Sequence, residues 1–140
     1  MSSFDRILER ELEEITTIAD RAAGPSTALR AMVHHHLRFA LEDRDNLTSW
    51  REEFRRLPDE DAWRLRRIQR LYVEEWVQVV REVRPDLSDA EARAAVHATL
   101  ALLHSPAEYK SGLPRETLTS LLTGMALSAL QGPSAGVIEC

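Results

Sequence analysis

The sequence has a single cysteine, Cys140, at its last position. That excludes an intrachain disulfide and a cysteine cluster for structural zinc, and it fits a reducing, cytoplasmic setting. Only Lys110 of the 18 basic residues is lysine. Acidic residues number 23, so the net charge is −5 and the pI is near 5.5. A free-standing DNA-binding module draws most of its affinity from phosphate neutralisation and is normally basic. This acidic chain is not expected to hold a duplex on its own. No apolar run approaches the roughly 20 residues needed to cross a bilayer. The charged start MSSFDRILERELEEI has no secretory core. The five glycines form no phosphate or dinucleotide loop, and neither G-x-S-x-G nor H-E-x-x-H occurs. An enzyme is not expected, and no cofactor is implied.

What is present is ordinary globular material. The chain has 140 residues, 44% hydrophobic and 29% charged. A chain of this size forms one domain and hides roughly 68–70% of its unfolded surface. Residues 1–131 read as that domain. Residues 132–140 read as a flexible tail.

Every segment between the Gly and Pro punctuation has helical spacing, and none alternates as a strand does. The expected fold is all-α with six helices. The first runs from about Phe4 to Ala23, with Ser2 and Asp5 at its start and Gly24 as its C-cap. Ile7, Leu8, Leu12, Ile15, Ile18, Ala19 and Ala22 make its apolar stripe. The second runs from Thr27 to Glu42, opened by Ser26, with Leu29, Met32, Val33, His36, Leu37, Ala40 and Leu41 inward. The third, Leu47 to Leu57, carries Trp50 and Phe54. The fourth is capped by Asp59 and reaches Val83, with Ala62, Leu65, Ile68, Leu71, Tyr72, Trp76, Val79, Val80 and Val83 inward. Ser88 and Glu91 form a capping box for the fifth, which ends near His104. Pro114 opens the sixth, which ends near Leu130.

The last two helices are apolar nearly all round. A surface helix of a monomer needs one apolar stripe, so each of these is expected to be buried on two sides. A homodimer built on a four-helix interface satisfies both. Ala94, Ala95, Ala98 and Leu102 on one helix, with Leu118, Leu121, Leu122, Met125 and Ala129 on the other, are the candidate interface.

His34, His35 and His36 invite a metal reading. Adjacent helical residues point about 100° apart, so three in a row cannot converge on one ion. At most one or two could join His97 or His104. The spacing favours one core-facing histidine and two solvated ones, and no metal site is expected. The arginines Arg64, Arg66, Arg67 and Arg70 suit pairing with the acidic first helix better than ligand binding. Met32, His36, Phe39, Trp50, Tyr72 and Trp76 supply the aromatic bodies and polar tips that a small-molecule pocket between helices needs. Arg67 is a candidate anion anchor there.

The stretches ALRAMVHHHLRFALEDRDNLTSWREEF, LPDEDAWRLRRIQRLYVEEWVQVVREVRPDLSDAEARAAVHATLALLHS and LPRETLTSLLTGMALSAL resemble the C-terminal regulatory domain of TetR-family transcriptional regulators. The likeness runs from about Phe4 to Leu130. It implies a domain that dimerises through its last two helices and encloses a pocket for a small-molecule effector. It implies DNA binding only through an N-terminal helix-turn-helix domain, for which this chain has no candidate. FDRILERELEEI resembles the helix that connects the two. A shortened chain, a mis-started frame or a natural orphan would each account for that. The alternative is a stand-alone helical protein that forms mixed dimers with full-length relatives.

Overall fold

A computed structural model describes residues 3–42, 52 and 54–132. Among these residues the chain is all-helical. It forms α1 (Ser3–Arg21), α2 (Pro25–Glu42), α3 (Asp59–Val83), α4 (Asp89–His104), a 3-10 turn (Ser105–Ala107) and α5 (Arg115–Gln131). Most of the third expected helix, including Trp50, lies outside the described residues, as does the tail from 133 onward. Glu52 and Phe54–Arg56 are helical.

The boundaries follow local chemistry, with two departures from expectation. α1 stops at Arg21, and Gly24 turns the chain at φ +127°, a left-handed value that disfavours a side chain. α2 then opens directly on Pro25, whose missing N–H costs nothing in a first turn. Thus Ser26 lies inside α2 rather than capping it. Asp59 likewise falls inside α3. Pro58 holds the N-cap position with no side-chain bond, and Asp59, Glu60 and Asp61 instead place negative charge in the first turn. Ser88 behaves as the sequence predicts. Its hydroxyl accepts from the Glu91 amide at 3.1 Å, and the Glu91 carboxylate accepts from the Ser88 amide at 3.0 Å.

Side-chain pairs fix how the helices lie. Asp5 meets Arg64 and Thr16 meets Glu75, both at an offset of 59 residues, so α1 and α3 run parallel. Glu11 meets His35 across the Gly24 turn, which makes α1 and α2 antiparallel. Glu74 pairs with Arg93 and Arg81 with Asp89, so α3 and α4 are antiparallel. α2 touches every other helix described, and it is the central element.

The core centres on Leu29, Met32, Val33, Leu37, Trp76, Val80, Val96, Leu103 and Leu130, all nearly or wholly inaccessible. Leu71, expected inside, is exposed, and Val77 is buried. Truncating a large side chain in such surroundings costs about 3–5 kcal/mol. Trp76→Ala therefore tests folding before it tests binding.

Candidate functional site

The central position of α2 decides the fate of its histidines. His34 points to solvent, but His35 and His36 are both buried. The sequence reading placed only one inside. Two are inside because α1 covers one side of α2 while α3 and α4 cover another, and each ring finds a polar partner there.

His36 faces α3 and α4. Its Nδ1 lies 2.6 Å from the Tyr72 hydroxyl, and its Nε2 lies 2.7 Å from Nε2 of His104. Trp76 meets the His36 ring edge-on at 89°, and Phe39 packs with its centroid 6.3 Å away. Burial lowers the His36 pKa well below its ordinary value, and the nearby His104 and His35 lower it further. The ring is therefore neutral near pH 7, with one N–H and one acceptor nitrogen. Burial raises the Tyr72 pKa, with the Glu11 and Glu14 carboxylates adding to the rise. The Trp76 indole N–H opposes it in part. That N–H makes no hydrogen bond of good geometry although it is fully buried.

Of the candidate pocket residues, the structure gathers His36, Phe39, Tyr72 and Trp76. Met32 is buried in the core one turn earlier on α2. Arg67 is apart from them. It is exposed, and its guanidinium lies over the Trp63 ring at 5.9 Å. Arg64 pairs with the buried Asp5 at 2.9 Å, as the acidic character of α1 suggested. His104, one of the two histidines the sequence offered as partners for the run of three, joins His36.

Two clefts open on the surface nearby. An acidic groove of about 660 Å³ runs between α1 and α3, edged by Glu74, Glu75, Glu82 and Asp89. It is open and does not reach the His36 cluster. A smaller cleft of about 330 Å³ opens over His35, bordered by Glu11 and Glu14. His35 Nε2 lies 2.7 Å from Glu11 and 3.3 Å from Glu14.

The candidate interface residues divide into two sets. Leu118 and Leu122 are buried in the chain's own core, and Ala95 and Leu102 pack against it half-buried. Ala94, Ala98 and Ala129 are exposed, with Leu121 at 51% and Met125 at 48%. Leu121, Met125 and Ala129 recur at every fourth residue, so they form one apolar ridge along α5.

Comparison with known proteins agrees with this architecture. A transcriptional regulator of the TetR/AcrR family from Thermobifida fusca YX-ER1, known from a crystal structure, superposes with a TM-score of 0.73. The two sequences are 21% identical, and the match covers 87% of this chain and 67% of that one. At that identity the likeness establishes the fold. No curated protein matches. Residues 22–108 match the family model of the tetracyclin repressor-like C-terminal domain. That match spans more than half of the sequence and runs from the Gly24 turn through α2, α3 and α4, the helices that build the His36 cluster; the chain belongs to the tetracyclin repressor-like C-terminal domain family.

Proposed function

We propose that this domain binds a small-molecule effector and dimerises, as the regulatory part of a TetR-like repressor. The observation that carries the reading is the Trp76 indole N–H. It is a buried donor that meets the Tyr72 hydroxyl only in poor hydrogen-bond geometry, set beside a neutral His36 hydrogen-bonded to Tyr72 and His104. A ligand acceptor would satisfy it. The apolar surroundings and the neutral imidazole favour an uncharged, largely apolar molecule over an anion. The exposed ridge of Leu121, Met125 and Ala129 supports the dimer. Regulation would then be linkage: a ligand that binds one arrangement of α1 against α2 and α3 better than another shifts the balance between them.

Native mass spectrometry of the purified protein, followed by a denaturing spectrum, tests both halves. The expected species has a mass near twice 15.9 kDa, plus added mass that denaturation releases. Trp76→Phe keeps most of the bulk and removes the donor, so it is expected to lose the added mass while remaining folded. A bare 15.9 kDa monomer would overturn the reading.

A further inference from the structure

The geometry points to a divalent transition-metal site formed by Glu11 and Glu14 of α1 and His35 of α2. This goes beyond the effector pocket and does not depend on it, because His35 meets α1 whereas His36 meets α3 and α4. The three side chains each offer one ligand atom, and those atoms lie within 4.8 Å of one another. They are the only such group among the described residues. Glu11 and Glu14 are one helical turn apart, so both carboxylates fall on one face of α1. The antiparallel α2 brings His35 opposite them.

Several observations separate this cluster from a solvated acidic face. The Glu11 side chain is 8% exposed and that of His35 is 6% exposed, while Glu14 at 43% forms the outer edge. Hiding a carboxylate this deeply needs a compensating cation or strong donor. Here the donor is a single imidazole N–H shared between two carboxylates. The cleft of about 330 Å³ gives an ion and its remaining water ligands access to all three side chains. Arg10, Arg38 and Glu42 also border it. Both arginines are exposed, so they sit at its rim.

The donor set names the class of ion. Two carboxylates and one imidazole leave an open coordination position, as three protein ligands do at zinc sites. The imidazole selects against magnesium and calcium, which take oxygen ligands. Ligand bonds of about 2.0–2.2 Å require the His35 and Glu11 atoms to part slightly from their hydrogen-bonded separation. Two carboxylates, a neutral imidazole and a dication leave no net charge on the ion and its three protein ligands. Bound there, the ion ties α1 to α2 immediately beside the His36 cluster.

The test uses the full chain without any histidine tag, stripped with chelator and titrated with Co²⁺, whose visible absorption reports its ligands. Zn²⁺ competition and calorimetry give affinity and stoichiometry. One ion per chain is expected, with a rise in melting temperature. Glu14→Gln and His35→Gln are each expected to weaken binding by about tenfold or more. His34→Gln, on the exposed face of α2, is expected to leave it unchanged. Glu14 is half-exposed, so its variant remains folded if His35→Gln does not. Absence of binding to the wild-type chain would overturn the proposal. So would affinity unchanged by Glu14→Gln, or loss of binding in His34→Gln.

Discussion

His36 illustrates how a single buried imidazole ties stability to pH. Its pKa in the fold lies well below the ordinary 6.5 because burial and two neighbouring histidines oppose its charge. In the unfolded chain the ring takes up a proton as pH falls through that ordinary value. In the fold it does not. Between these two pKa values the unfolded state binds one more proton, so stability falls as pH falls. The slope for one proton is about 1.4 kcal/mol per pH unit. The loss begins near pH 6.5, above the region where Asp86 and Glu91 matter. Their carboxylates are held below the usual range by Arg84 and by the Ser88 amide respectively, and they lose that contribution only in acid. Urea midpoints measured from pH 7 to pH 5 are expected to fall steadily for the wild type. His36→Gln removes the titrating ring and is expected to flatten that fall. An equal slope in both proteins would show that another group carries it.

At the scale of the element, what the sequence makes legible is what each helix decides for itself. The capping box at α4 depends on two residues three apart, and both bonds form as the pattern predicts. Ser88→Ala is expected to destabilise the fold by about 1 kcal/mol, whereas Ser88→Thr should recover most of it. A chemical-denaturation midpoint unchanged by the alanine would mean that packing, not the cap, sets this helix start. The interior stripe of α2 was equally readable, since apolar spacing alone defines it. The burial of Asp5, Glu11 and His35 was not readable. Each is buried because a partner arrives from another helix: Arg64 for Asp5, and His35 and Glu11 for one another. Periodicity marks such residues as polar and therefore outward. The sequence names His104 with His97 as a histidine that one of the three could join, and the crossing of α2 and α4 brings it to His36. His36, Phe39, Tyr72 and Trp76 lie together because they fall on facing sides of α2 and α3. Arg67 lies apart from them because its own helix turns it outward, onto Trp63.

At the scale of the whole molecule, the unresolved balance is the apolar surface of α4 and α5. The single chain buries Ala92, Val96, Leu100 and Leu103 on one side of α4, and Leu122, Ala126, Leu127 and Leu130 on one side of α5. The opposite sides keep Ala94, Ala98, Ala101, Leu121, Met125 and Ala129 exposed. Alanines on α4 and Gly124 on α5 let a second backbone approach closely, so the facing helices of another copy could cover the ridge. The proposed dimer therefore predicts different behaviour for two kinds of aspartate substitution. Leu102→Asp places a charge where the side chain already packs on the chain's own core, so it damages the monomer as well as any interface. Leu121→Asp and Met125→Asp alter side chains that are about half exposed in the single chain, so the monomer should tolerate them. Two like charges per copy, brought together across a two-fold axis, should abolish association. Sedimentation is expected to give a dimer for the wild type and a folded monomer for Leu121→Asp/Met125→Asp. The wild-type melting temperature should also rise with protein concentration, because association stabilises only the folded state, and the double variant should lose that dependence. A double variant that remains dimeric would place the contact on another face and leave the α5 ridge without a role in assembly.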